Sequence, residues 1–434
     1  MTTTVWQGYQ ATWEMARGYE GQFGHALNAP YVFLPLCALF LVGLIDWRRP
    51  WRVANLDLLV LLGFGLSHIW FNRGEIGVSV PLAYPPLLYL LVRALWIGFR
   101  GRGEGVRPVW PAAWLLIAAL FLIGFRAGLN VADSGTIDVG YASVVGADRV
   151  AHGEPLYDNF PEDVSRGDTY GPVNYYAYVP FELIWPWSGT WDDLPAAHAA
   201  SVVFDLATFL LLILLGTRIR PGPAGGKLGA TLGFGWAAYP YTAMVLESNS
   251  NDTLVAMLLV ATLLVLSRPA ARGISLALAT FTKFAPALLL PMLATYDGGR
   301  RRFAVFSAAF ALVATLAMLG TLIAPGLPSF WDRTIAYQGA RDSPFSIWGQ
   351  TDLEPLRIAI LLGVGSLSLV LAFWPKHKTP TQVAAFGAAL LIGLQLTAQH
   401  WFYLYIVWFY PLLLVAITQT SLLPLKGTFQ GSKS

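Results

Sequence analysis

The stretch LNVADSGTIDVGYASVVGADRVAHGEPLYDNFPEDVSRGDTYGPVNYYAYVPFE, residues 129–182, starts at the end of a long apolar run and turns into acidic, aromatic sequence punctuated by Pro and Gly. Eleven of the chain's 25 carboxylates fall between Asp133 and Asp193. Most of the remaining sequence is Leu, Ala, Val, Phe and Gly. A segment this polar inside a chain this apolar marks aqueous chemistry at a membrane surface.

Outward from this loop, composition sets the class. The 434 residues are 56% hydrophobic and 12% charged, against roughly a quarter charged in soluble domains, and the mean hydropathy is +0.54. Apolar runs at about 31–46, 54–71, 80–98, 111–131, 195–216, 228–246, 252–267, 303–323, 355–373, 381–398 and 401–420 each approach the length that crosses a bilayer. The expected fold is therefore an all-α polytopic membrane protein with about 11 full spans. Between Gly273 and Tyr296 the run is too short for two crossings, yet basic residues flank it on both sides. A broken hairpin of two half-helices around Thr282, Lys283 and Pro286 satisfies both constraints.

Charge orients the layout. Arg48/Arg49/Arg52, Arg100/Arg102/Arg107, Arg218/Arg220/Lys227, Arg268/Arg272, Arg300/Arg301/Arg302, Lys376/Lys378 and Lys426/Lys433 fall on one face, 18 of 28 basic residues. The positive-inside rule makes that face cytoplasmic. Loops 132–194 and 324–354, the Glu247–Asp252 turn and the Gln399–His400 turn then point outward, as does the N-terminus, with about 20 of the 25 carboxylates. The pI near 8.9 does not imply a nucleic-acid partner, because the basic residues sit in short loops rather than on one face. The single cysteine, Cys37, leaves no disulfide within the chain, and the N-terminus lacks the pattern of a cleavable signal.

Asp138 opens a stretch with apolar residues at Ile137, Tyr141, Val144, Val145 and Ala151, followed by Gly153. That spacing predicts a short helix along the outer interface with Asp138 at its start. A carboxylate held between water and low dielectric is suited to general-base work; an N-cap or solubilising role is the plainer reading. Charges inside predicted spans are expensive, and the candidates are Arg93, Arg126, Asp205, Lys283 and Arg357. Arg93 can snorkel to the headgroups, and Arg126 and Arg357 lie near the outer boundary. Lys283, at the hairpin turn, either meets a phosphate or pairs with Asp205 or another buried acid. In loop 330–350 Arg341 is the better phosphate candidate and Arg333 reads as solvated charge. Trp185, Trp187 and Trp191 read as an interfacial belt. No phosphate loop, HExxH, CxxC pair or GxSxG elbow occurs.

The segments IDVGYASVVGADRVAHGEPLYD and DTYGPVNYYAYVPF resemble the first extracytoplasmic loop of GT-C glycosyltransferases that use polyprenyl-phosphate sugars, especially bacterial polyprenyl-phosphate-mannose-dependent mannosyltransferases. Asp138, Tyr141, the Gly153–Tyr157 turn and Tyr170-Gly171-Pro172 carry the likeness. The Asn turn at 249–252, the Lys-Pro hairpin at 279–291, Arg341 with Ser346, and His400-Trp401 follow in the same order. The likeness covers about residues 111–420.

The resemblance implies an inverting transfer of a sugar, mannose by expectation, from a polyprenyl-phosphate donor to a lipid or glycan acceptor on the extracytoplasmic face of the cell membrane. It implies no cofactor or metal. Asp138 or Asp133 would be the base; Arg341, Lys283 and His400 would bind the donor phosphate; Tyr170, Asn249, Asn251 and Tyr141 would form the acceptor or sugar pocket. Residues 101–434 would be the GT-C-like catalytic domain, preceded by an extra three-span segment, 1–100. Many relatives carry two acids close together in the first loop where SGTI separates Asp133 from Asp138 here, and often N-G-Q where this chain has NSND. A transporter or lipid-linked-sugar flippase with Asp205 and Lys283 as a coupling pair, or a noncatalytic relative, are the alternatives.

Overall fold

The computed structural model describes residues 30–101, 105–341 and 343–418, and every regular element among the described residues is helical. The chain begins with α1 (Pro30–Leu44), α2 (Val53–Leu62), α3 (Phe64–Phe71), α4 (Ile76–Arg100) and α5 (Ala112–Asp133). The segment between α5 and the next long helix holds α6 (Asp138–Ala151) and α7 (Pro172–Glu182), followed by α8 (Pro195–Ile219), α9 (Gly222–Ala238) and α10 (Pro240–Glu247). Then come α11 (Asp252–Leu264), α12 (Pro269–Thr282), α13 (Arg300–Ile323), α14 (Glu354–Phe373), α15 (Pro380–Leu396) and α16 (Ile406–Thr418), with shorter helical turns between α12 and α13 and across 327–350.

Among the described residues, six stretches are long and apolar enough to cross a membrane: Val53–Phe71, Ile76–Arg100, Ala112–Asp133, Pro195–Ile219, Arg300–Ile323 and Glu354–Phe373. On α13 and α14 the exposed residues include Leu312, Leu316, Leu362 and Leu369, an apolar surface that calls for lipid rather than water. The remaining apolar runs are shorter helices than the eleven-span reading assigns. The run at 252–267 contains a helix of 13 residues, about 20 Å at 1.5 Å per residue, against about 30 Å of hydrocarbon. The run at 228–246 is broken at Tyr239, because Pro240 has no N–H to continue α9 and instead starts α10. The tail lysines Lys426 and Lys433, Arg102 and the N-terminus lie outside the described residues.

One continuous core runs from Leu36 to Ile417. Helix α8 packs on α9 and α11, α5 on α9, α11 on α12 and α16, and α15 on α16. The described helices of segment 1–100 share this core, with α1 against α9 and α4 along α15. Gln382 Nε2 donates to the Gly98 carbonyl at 2.8 Å across the second contact.

The in-span charges are paired with each other. Arg93 does not snorkel: it grips Asp57 with Nε and Nη2 at 2.7 and 2.8 Å. Arg126, 3% exposed, is ion-paired to Asp205 and donates to the Trp236 and Ala237 carbonyls at 3.2 and 3.3 Å. It thereby satisfies carbonyls that the α9–α10 break leaves without helical partners. The proposed Asp205–Lys283 couple is therefore absent, since Arg126 occupies Asp205 and Lys283 is bound elsewhere. Arg357 pairs with Glu354 at the start of α14.

Candidate active site

The site is assembled at the end of the bundle where α5 stops. Helix α5 ends at Asp133 and four residues carry the chain to Asp138, the first residue of α6. This turn is clamped from the side by Asn249, whose backbone is left-handed at φ 50°. Asn249 Nδ2 donates to Ser134 Oγ and the Gly135 carbonyl, both at 3.1 Å, while its Oδ1 accepts from Asn130 Nδ2 at 2.8 Å. The Ile137 N–H reaches the Ser248 carbonyl at 3.2 Å. A Cβ on Gly140 would lie 2.7 Å from Thr136 Cγ2 and 3.3 Å from the Asn249 carbonyl carbon, so glycine lets α6 approach the Asn turn. Asp138 is thus fixed at the mouth of α6, its Oδ1 accepting from the Val139 N–H at 2.9 Å.

The second wall comes from the broken hairpin. Helix α12 ends at Thr282, Lys283 is extended, and a 3-10 turn over Ala285–Leu289 follows. Onto this tip docks the Tyr170-Gly171-Pro172 turn, with the Gly171 N–H donating to the Thr282 carbonyl at 3.1 Å. A Cβ on Gly171 would sit 2.5 Å from the Phe281 carbonyl carbon; only a residue without one allows the two backbones to meet. The docking lays the Tyr170 ring 5.1 Å from Lys283 Nζ, with Trp408 and Tyr405 at 5.3 and 5.7 Å. Lys283 also pairs with Asp252 at 2.5 Å, and Asp252 accepts from Trp408 Nε1 at 2.7 Å and from Ser250. The lysine is a paired, aromatic-caged cation, as a buried charge must be.

Arg341, Phe345 and His400 close the site. Ile137, Asp138, Val139, Tyr170, Arg341, Phe345, His400, Phe402, Leu404 and Tyr405 line one cavity of about 50 Å³. That volume holds water rather than a hexose, so a sugar substrate requires the walls to part. Burial pushes the Asp138 carboxyl up, opposed by the Arg341 cation, the Val139 N–H and Lys283. His400 is held well below its usual range by burial and by the neighbouring Arg341, so it is a neutral imidazole. Its Nδ1 is 2.8 Å from Ser343 Oγ and its ring lies edge-on to Phe345.

Of the residues singled out in the sequence, Asp138, Tyr170, Arg341 and His400 meet in this cavity, and Lys283 lies behind the Tyr170 ring. Asp133 is exposed at the end of α5 and does not line it. Asn249 and Asn251 are fully buried and act on the scaffold. Asn251 Nδ2 reaches Ser143 Oγ on α6 at 3.2 Å. Tyr141 does not line this cavity either: it is fully buried, stacked on Trp191 at 4.7 Å, with its hydroxyl 3.1 Å from Asp163. Trp191 therefore packs inward, its Nε1 on the Thr136 carbonyl at 2.9 Å, whereas Trp185 stays exposed. Helix α6 starts where expected but is packed nearly all round, with Gly140 through Ala147 buried, and does not lie half in water.

Arg333 is no solvated charge; its Nε binds Asp168 at 2.6 Å and Asp158 at 3.4 Å, tying the 327–340 segment to the segment between α6 and α7. Residues missed in the sequence are Asp252, Tyr405 and Trp408. Asp252 stands inside the quoted NSND turn, and an acid opening an apolar helix was its signal. Tyr405 and Trp408 are three apart, the spacing that puts two rings on one helical face. Among the described residues no group of three or more His, Cys, Asp or Glu comes together as metal ligands.

A family model, that of glycosyltransferase family 87, matches residues 169–423, more than half of the chain. It includes Tyr170, Asn249, Asn251, Lys283, Arg341 and His400 and starts after Asp133 and Asp138. No curated protein matches.

Proposed function

The chain belongs to glycosyltransferase family 87, and from that premise we propose that it transfers a sugar, mannose in this reading, from a polyprenyl-phosphate donor to a lipid or glycan acceptor, with inversion, on the extracytoplasmic side of the membrane. The observation that carries the proposal is one cavity lined together by Asp138, Arg341 and His400. A base and a phosphate-binding cation lining one cavity suit displacement of a phosphate leaving group.

In the proposed reaction Asp138 accepts the proton of the acceptor hydroxyl as its oxygen bonds to the anomeric carbon. The bond from that carbon to the phosphate oxygen breaks, and its electron pair leaves with the lipid monophosphate. Arg341 meets the developing charge with its planar fork. His400, being neutral, contributes a hydrogen bond rather than a charge. Lys283 is spoken for by Asp252 and acts on the cavity through Tyr170, a shift from the direct phosphate contact expected of it. Preorganised donors of this kind need no reorganisation as charge develops.

The test is transfer by the purified full-length protein in lipid, comparing radiolabelled polyprenyl-phosphate mannose with the corresponding glucose, galactose and arabinose donors and with nucleotide sugars. Incorporation from the polyprenyl-phosphate mannose alone supports the reading. Incorporation from a nucleotide sugar refutes the donor class, and incorporation from another lipid-linked sugar refutes mannose.

A further inference from the structure

His400, Phe402, Leu404 and Tyr405 form one wall of the catalytic cavity, and the back of that wall rests on the N-terminal segment. Phe402 is extended, at φ −140° and ψ 155°, so Trp401 and Tyr403 on either side of it point the opposite way. Both land on α3. That helix presents Phe64, Ser67, His68 and Phe71, all buried, at the i, i+3, i+4 and i+7 spacing of a single face. Phe64 stacks on the Trp401 ring at 6.0 Å, and His68 and Phe71 lie 4.8 and 5.7 Å from the Tyr403 ring. Phe71 also meets Phe402 and Phe345 at 5.3 and 6.0 Å.

Hydrogen bonds fix the register of this packing. Ser67 Oγ donates to the Ser79 carbonyl at 2.7 Å, so it accepts from the Tyr403 hydroxyl at 2.6 Å, and Ser79 Oγ, at 2.9 Å, donates to that hydroxyl in turn. All three side chains are buried, where an unpaired hydroxyl is costly. The Phe345 side of the cavity is held by α4 as well: the Tyr84 hydroxyl accepts from the Ile347 N–H at 3.1 Å. The Trp401 N–H donates to the Phe345 carbonyl at 3.2 Å and joins the two walls. Helix α3 and the first turn of α4 precede the residues that carry the family likeness, and among the described residues neither lines the cavity.

We infer that the N-terminal segment sets the geometry of the catalytic wall, with Tyr403, Ser67 and Ser79 as positioning residues that hold His400 toward the departing phosphate. The catalytic consequence rests on the glycosyl-transfer reading, whereas the docking does not. A neutral imidazole contributes through a directional hydrogen bond, which weakens steeply once the ring tilts. Loosening the wall therefore slows the chemical step more than it weakens substrate binding.

Steady-state transfer by the full-length protein in lipid, paired with amide hydrogen exchange at residues 400–405, tests the inference. Tyr403→Phe keeps the ring and loses only the hydroxyl; kcat falls about tenfold with KM unchanged, and exchange at 400–405 speeds up. Leu66→Ala, on the exposed side of α3, behaves as wild type in both. Ser67→Ala/Ser79→Ala loses as much kcat as Tyr403→Phe, and combining all three substitutions loses no more, because the groups act as one unit. Wild-type kcat in Tyr403→Phe, or losses that multiply in the triple variant, overturns the positioning role. Should the triple variant not fold, Tyr403→Phe decides alone. If the wild type transfers no sugar, the functional reading falls by itself, and the exchange arm still decides the docking: unchanged protection at 400–405 in Tyr403→Phe overturns it.

Discussion

Replacing Gly171 by Ala isolates the contact that sets the site's geometry. The Gly171 backbone lies at φ −70°, which any residue adopts, so the substitution adds one methyl group and no backbone strain. That methyl would stand 2.5 Å from the Phe281 carbonyl carbon and 3.0 Å from its Cα, whereas carbon atoms pack at about 3.5–4.0 Å. The obstruction is backbone, so the Tyr170 turn and the hairpin tip must separate by roughly 1 Å. Overpacking of this kind costs about 1–3 kcal/mol of stability, while a 1 Å misplacement of catalytic groups costs about 100-fold in rate. Thermal unfolding and steady-state transfer, measured on the same lipid-reconstituted sample, separate the two effects. Gly128→Ala, where nothing lies within 4 Å of the new methyl, is the control. Wild-type kcat in a folded Gly171→Ala protein would refute the claim that this docking positions the site.

Arg341→Gln is expected to lower the rate and move the acid limb of the kcat/KM profile to higher pH. Arg341 lowers the Asp138 pKa, so its removal raises it, and a base must be ionised to act; an unmoved or acid-shifted limb contradicts the assignment. Tyr170→Leu removes the ring over Lys283 and should cost about tenfold in kcat, with Tyr170→Phe retaining most of the activity; equal losses in both would remove the ring from the account. Arg126→Met leaves Asp205 buried without its partner and should destabilise the fold by about 3–5 kcal/mol. Arg126→Met/Asp205→Leu should recover most of that loss in denaturation measurements, and additive losses would rule out the pairing.

The long elements were legible because composition alone specifies them. Helices α5, α8, α13 and α14 begin and end within a few residues of their apolar runs, and Asp138 opens α6 as its spacing implies. The broken hairpin was legible from two conflicting constraints, a short run and basic flanks on one side. What could not be read locally was pairing at a distance. Arg126 and Asp205 are 79 residues apart, and each alone reads as a charge near a boundary; only packing of α5, α8 and α9 brings them together. Asn249 and Tyr141 carry polar groups that suit a sugar pocket, yet their hydrogen bonds are spent within the protein on Gly135 and Asp163. The break at Tyr239 was visible in Pro240, but apolar residues on both sides masked it. The cavity itself joins residues from 137 to 405, and its membership follows from the fold alone.

The central claim, that Asp138 is the base of this cavity, is tested most directly by sugar transfer with Asp138→Asn and Asp133→Asn proteins of verified folding. The account predicts that Asp138→Asn loses about 10²- to 10⁴-fold in kcat while Asp133→Asn, exposed and outside the cavity, stays near wild type. Loss in Asp133→Asn with activity retained in Asp138→Asn would contradict it.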